Sequence, residues 1–168
     1  MIKNTIKNIK NMNLDDNNKE VLKSKFLLSN NKEVQKEILK KLATIKDKSL
    51  SSFFDDVVSK NYPSYVKKEA VSALGRMREY DVAQKYLFKY LNDSNPEIVL
   101  QAIRGILVFK KQQNIKEKLF EIYENNPNEI IKYVISKEFN LELLDFDTKK
   151  SHIEVKEKYK NKVVNGDV

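Results

Sequence analysis

The sequence predicts an all-α fold of about four to five stacked antiparallel helix pairs, and three observations support this class. Apolar residues recur at a spacing of 32 residues, as expected for repeated structural units. Within each unit they are spaced as on one face of an α-helix. Only 3 Gly and 3 Pro are present in 168 residues, which is too few for the turns of an all-β fold.

The N-terminal residues predict a weaker first helix pair. Its first helix is marked by Ile2, Ile6 and Ile9, and its second by Val21, Leu22 and Phe26. A polar face made by Asn4, Asn8 and Asn11 suits an end cap exposed to water.

The first helices of the next four units show the period most clearly. Their opening apolar positions are Val34, Val66, Ile98 and Ile130. Each helix continues with apolar residues four, five and eight positions later, except that the last helix has no apolar residue at the eighth position. Residues that favour a helix start precede them, namely Asn31, Pro63, Pro96 and Pro127. Asn caps the free N–H groups of the first turn, and Pro has no N–H that needs a partner there.

Shorter apolar stripes predict the second helices. They are Phe53, Phe54, Val57 and Val58 in one unit, Val82, Tyr86, Leu87, Tyr90 and Leu91 in the next, and Ile115, Leu119, Phe120 and Tyr123 in the third. The last unit has no clear second helix.

The segment from Tyr65 to Gly75 resembles the first helix of a HEAT repeat. It has an apolar residue, basic residues, and then Ala70 and Ala73-Leu74-Gly75, where small side chains let neighbouring helices approach closely. The resemblance implies a right-handed α-solenoid over residues 1–144, which we expect to be one domain. HEAT-like arrays also include alkylpurine DNA glycosylases, but their pocket depends on Trp, and this chain has none.

The repeats contain no recognisable catalytic or metal-binding motif. With no Cys and a single His, a His/Cys metal site is excluded, and we expect no metal and no cofactor in the array. The acidic pairs Asp15-Asp16 and Asp55-Asp56 are expected near helix starts, where carboxylates complement the helix dipole.

No apolar run is long enough to span a membrane, and no signal peptide begins the chain, so we expect a cytoplasmic protein that does not contact membranes. The net charge of +8 allows DNA or acidic partners. Only Arg76, Arg78 and Arg104 are Arg among 32 basic residues. The abundance of Lys, Asn and Ile is also typical of an AT-rich genome, which would explain the charge without a nucleic-acid partner.

Some basic residues follow the 32-residue period and are candidate DNA contacts. They are Lys46, Arg78 and Lys110 in one set, Lys36 and Lys68 in a second, and Lys40 and Arg104 in a third. Such a ladder could follow a phosphate backbone, with Tyr62, Tyr65 and Tyr80 as candidates for base stacking. Alternatively, these cations complement helix C-termini or lie on a solvated face.

After the repeats, residues 145–162 are predicted to form a charged linker, and residues 163–168 read as a strand and a turn. This ending resembles the start of adenine-N6 or cytosine-N4 DNA methyltransferase domains. The resemblance implies that Gly166 and Asp167 would lie beside S-adenosylmethionine in a larger parent enzyme. Another fused context, or a protein that stands alone, remains an alternative.

Together these observations favour a non-catalytic binding module that forms the N-terminal part of a larger DNA-modifying protein and contacts DNA or a protein partner through a basic solenoid surface. The alternative is a stand-alone protein-interaction scaffold that docks a peptide or helix between repeats.

Overall fold

A computed structural model describes residues 1–141, and these form nine α-helices. The helices are α1 Ile2–Asn11, α2 Asp16–Leu28, α3 Lys32–Ile45, α4 Ser51–Ser59, α5 Ser64–Arg76, α6 Asp81–Tyr90, α7 Pro96–Ile106, α8 Gln113–Asn125 and α9 Glu129–Phe139. Short 3-10 turns cover Lys48–Leu50 and Leu107–Phe109. The predicted linker, residues 145–162, and the methyltransferase-like ending, residues 163–168, lie outside the described residues.

The helices alternate between two rows, which confirms the predicted repeat. The first helices are α1, α3, α5, α7 and α9, and the second helices are α2, α4, α6 and α8. Four pairs are therefore followed by a ninth helix within the described part of the chain. The apolar stripes of both rows meet in one continuous core.

Side-chain caps fix most starts of the first helices. Asn31, Asn95 and Asn128 each accept a hydrogen bond from a backbone N–H of the first turn, and Pro96 is the first residue of α7. Since Asn128 caps α9, that helix begins slightly later than the predicted start at Pro127. At the other end of α3, Lys46 adopts a left-handed conformation with φ of 54°.

The two rows differ in how closely their helices pack. α5 packs extensively against α3 and α7, whereas the second helices make little contact with one another. At the crossing of α5 and α7, a Cβ added to Gly75 would lie 3.5 Å from the Cα of Gly105. The first-helix row is therefore the more closely packed of the two.

Polar bonds also join neighbouring repeats through the second helices. The Nζ of Lys89 and the hydroxyl of Tyr90 donate to Asp55 Oδ1 over 2.7 and 2.6 Å. The expectation that Asp55 lies near a helix start was therefore wrong: it is the fifth residue of α4 and connects that helix to α6. Asp15, in contrast, caps α2 as expected.

The N-terminal pair is less buried than its apolar stripes suggested. Ile9, Leu22 and Phe26 are buried, but Ile2 and Val21 are 49% and 37% exposed. An end pair has a neighbour on one side only, so part of each stripe lacks a surface to pack against.

Candidate functional site

An open cleft lies where α3 and α5 end and the 3-10 turn after α7 begins. We call it the end cleft; it has a volume of about 700 Å³ and is lined by Ala43, Thr44, Lys46, Arg76, Arg78, Glu79, Val108 and Phe109. Val108 is 59% exposed, although it lies well inside the array. The cleft thus combines apolar side chains with three cations and the carboxylate of Glu79.

A smaller pocket adjoins the end cleft between α5 and α7. We call it the arginine pocket; it measures about 190 Å³ and is lined by Val71, Ser72, Gly75, Arg76, Arg78, Gln101, Arg104 and Gly105. Arg76 and Arg78 line both spaces, so the two form one continuous surface. The close approach of Gly75 and Gly105 places backbone where side chains would otherwise fill the pocket.

All three arginines of the chain line this one pocket. Arg76 Nη1 lies 3.4 Å from Glu69 Oε1, and Arg78 Nη1 donates to the carbonyl oxygen of Gly75 over 3.0 Å. Arg104 is exposed and makes no hydrogen bond or ion pair with any residue of the described range 1–141. Arg76 and Arg104 stand in the last turns of α5 and α7, where a cation complements the helix dipole, but Lys would serve that purpose equally well.

Glu69 gives the surface beside the pocket an unusual electrostatic character. Its side chain is buried, and burial raises its pKa even though the charges of Arg76, Lys40 and Lys36 lower it. The charges of three cations on α3 and α5 thus act on one carboxylate. The excess positive charge leaves this part of the surface suited to a negatively charged ligand.

The structure brings together some of the cations on the 32-residue period. Lys46 and Arg78 both line the end cleft. Lys110 lies elsewhere, with its Nζ 3.2 Å from Glu138 Oε2. The proposed ladder therefore splits into two members at the cleft and one that is held in an ion pair.

The second and third sets are engaged to different degrees. Lys36 Nζ lies 4.6 Å from the centroid of the Tyr65 ring, and Lys68 Nζ lies 4.0 Å from Glu97 Oε2. The charge of Lys40 lowers the pKa of the buried Glu69, while Arg104 lines the arginine pocket.

The tyrosines proposed for base stacking pack against the core instead. Tyr62 lies 5.2 Å from Phe26 between ring centroids, Tyr65 is covered by a lysine, and the Tyr80 hydroxyl donates to the carbonyl of Lys46 over 2.7 Å. All three are half-buried. Base stacking by these three tyrosines stays a prediction.

Among residues 1–141, no group of Asp or Glu side chains could hold a metal ion. None of the described helices is long and apolar enough to cross a membrane.

Sequence reasoning missed the residues that complete the surface. Val108 falls outside the apolar repeat, and Ser72 and Gln101 are uncharged, so a pattern of repeated cations does not mark them. The usable signal was the restriction of every arginine to the stretch between Arg76 and Arg104 in a Lys-rich chain.

Comparison with known proteins agrees with this architecture. A family model of HEAT repeats matches residues 20–107, which is more than half of the chain. No curated protein and no solved structure matches the chain. The matched segment runs from α2 to the 3-10 turn after α7 and so includes most of the lining of both spaces described above. The chain therefore belongs to the HEAT-repeat family.

Proposed function

We propose that this array is a protein-interaction module that binds a segment of a partner protein along its first-helix row. The observation that supports this most strongly is the end cleft, where exposed Val108 lies beside Phe109 and Ala43. An apolar centre with a charged rim is the usual composition of a protein-binding patch.

The shape of the surface also favours a peptide or a helix as the ligand. The cleft lies in the first-helix row and is lined by residues of three successive repeats, so a bound segment would contact several repeats at once. Its cations Lys46, Arg76 and Arg78 favour a segment with acidic residues beside its apolar ones.

A library of random peptides displayed on phage and selected on the immobilised protein tests this proposal. Val108→Glu should abolish binding of the enriched peptides, because it places a carboxylate among the apolar side chains of the end cleft. Leu28→Glu is the matched control, since Leu28 is 88% exposed and lies on α2, away from the cleft. If no peptide is enriched, or if both variants weaken binding equally, the cleft is not the binding site.

DNA is a second candidate ligand, favoured by the distribution of charge. Residues 142–168 hold six basic and six acidic residues, so the whole excess of +8 belongs to residues 1–141. Combined charge reversal of Lys46, Arg78 and Lys110 should weaken binding to a short duplex and reduce its salt dependence. Unchanged binding at low salt would reject the ladder.

The relation to a DNA methyltransferase also stays a proposal. It rests on the sequence of residues 163–168, including Gly166 and Asp167, and implies S-adenosylmethionine only for a larger parent protein. A motif of the Asp-Pro-Pro-Tyr type in the reading frame beyond Val168 would support it, and a stop codon there would reject it. The cytoplasmic location is likewise a prediction, which microscopy of the tagged protein would test.

A further inference from the structure

The arginine pocket gathers more hydrogen-bond donors than a structural role requires. Three arginines line a space of about 190 Å³, together with Ser72 and Gln101, whose side chains also carry donors. Each guanidinium carries five N–H donors in a planar fork, which matches the oxygens of carboxylates and phosphates. Only Arg76 has an acidic partner among the described residues, and that contact is 3.4 Å long.

The number of donors favours a phosphoryl group over a carboxylate. A carboxylate offers two oxygens and one negative charge. A phosphoryl monoester offers three free oxygens and a charge of about −1.5 to −2 at neutral pH. Three arginines in one small pocket are better satisfied by the second group.

The surroundings of the pocket favour a protein over a nucleic acid as the carrier of that group. A nucleic-acid backbone needs cations spread along its path, whereas here the arginines meet at one point and Lys110 is paired with Glu138. The adjoining end cleft presents Val108 and Phe109, which suit an apolar side chain of a peptide.

We infer that the arginine pocket binds a phosphorylated serine or threonine of a partner protein, with apolar residues next to the phosphorylated one lying in the end cleft. This inference rests on the proposed function, because it assigns the chemistry of the segment that the array would bind. Binding would then depend on phosphorylation of the partner. The phosphoryl oxygens would accept from Arg78, Arg104 and the Ser72 hydroxyl, and Arg76 would be shared with Glu69.

Fluorescence polarisation with labelled degenerate peptides tests the inference. Three mixtures share the same flanking positions, enriched in apolar residues, and differ only in a central phosphoserine, glutamate or serine. The phosphoserine mixture should bind at least about tenfold more tightly than the serine mixture, since charge-assisted hydrogen bonds are the strong ones. Glutamate should fall between them.

Substitutions of Arg104 locate the effect, because this side chain is exposed and has no partner whose loss would disturb the fold in the described range. Arg104→Gln should weaken phosphoserine binding about tenfold or more. Arg104→Lys should lose most of that affinity, because an ammonium group cannot form the forked contact. Lys111→Gln makes the same charge change at an exposed residue that lines neither space, and it should have little effect.

Several results would overturn the inference. One is equal binding of the phosphoserine and serine mixtures. Another is an Arg104→Gln variant that binds phosphoserine as tightly as Lys111→Gln does. A third is an Arg104→Lys variant that binds phosphoserine as tightly as wild type. Competition by inorganic phosphate as strong as that by the phosphopeptides would show a site for the free ion instead. Stronger competition by a DNA duplex would show a site for nucleic acid.

The outcomes also separate this inference from the proposed function. If the serine mixture binds and Val108→Glu abolishes it, but phosphoserine gives no gain, the inference fails while the proposed function stands. If phosphoserine binding depends on Arg104 but is unchanged by Val108→Glu, the arginine pocket binds the phosphoryl group, but the end cleft does not bind the neighbouring apolar residues. If no mixture binds more tightly than about 1 mM, both fail.

Discussion

The close packing of α5 on α7 predicts opposite effects for two alanine substitutions. A methyl group added at Gly105 would lie 3.2 and 3.3 Å from the two δ-carbons of Leu87, which is fully buried, and 3.4 Å from the Cα of Gly75. A methyl group added at Gly75 would meet only the Cα of Gly105, at 3.5 Å. A methyl group at Gly105 would therefore be overpacked, whereas one at Gly75 would make an ordinary van der Waals contact.

These distances set the expected magnitudes. Replacing Gly by Ala inside a helix stabilises it by about 0.5–1 kcal/mol, because the unfolded chain loses freedom. Both glycines lie in the last turn of their helices, so the gain falls toward the lower end of that range. Overpacking a filled core costs about 1–3 kcal/mol. Gly105→Ala should therefore destabilise the protein by about 1 kcal/mol, while Gly75→Ala should be neutral or slightly stabilising.

Urea and thermal denaturation of the two variants measure the difference. A change of about 1 kcal/mol corresponds to about 2–4 °C in melting temperature for a chain of this size. The double variant should be less stable than the sum of the single effects predicts, since each added methyl group points toward the other helix backbone. A Gly105→Ala variant that is as stable as wild type, with an unstable Gly75→Ala, would refute the packing argument.

Three further predictions concern the polar contacts. The hydrogen bond from Lys19 lowers the pKa of Asp47 to about 2, below its ordinary 3.8, so its contribution to stability is complete above about pH 4 and is lost as the pH falls toward 2. Asp47→Asn should remove that part of the acid dependence, as measured by urea denaturation between these pH values. Burial and the hydrogen bond to Asp55 raise the pKa of Tyr90, so stability should fall above about pH 10, where the unfolded tyrosine ionises and the folded one does not. Tyr90→Phe should cost about 1 kcal/mol at neutral pH and flatten this alkaline loss, and a variant with an unchanged alkaline profile would contradict the assignment. Asn31→Ala should cost about 1 kcal/mol through loss of the cap of α3, whereas Asn30→Ala, at an exposed neighbour, should be close to neutral in the same denaturation assay.

The rows of first and second helices could be predicted because their cause is local. Apolar residues at helical spacing must face a core, and Val34, Val66 and Ile98 are all buried as their spacing indicates. The position of Asp55 was not predictable in this way. Its partners Lys89 and Tyr90 belong to the following repeat, and periodicity does not report how the second helices rotate against one another.

The arginine pocket escaped prediction for a related reason. Arg76 and Arg104 occupy different positions of the repeat, so they do not belong to one periodic set of cations. In the structure Gly75 lies opposite Gly105, an offset slightly shorter than the repeat period, and the two helices pack closely at this point, where neither has a side chain. That small shift brings the ends of α5 and α7 together, and the repeat period in the sequence does not predict it.

The side-chain bonds between repeats of the described range, which span 28 to 35 residues, have a consequence for how the chain folds and responds to force. Each bond closes a loop of about one repeat, so the entropy of closure does not grow as the array lengthens. Folding can then begin at any repeat and spread to its neighbours, and such local contacts favour a fast rate. A pull on one end should remove helix pairs one at a time rather than break the whole domain at once. The least buried pair, α1 and α2, should separate first.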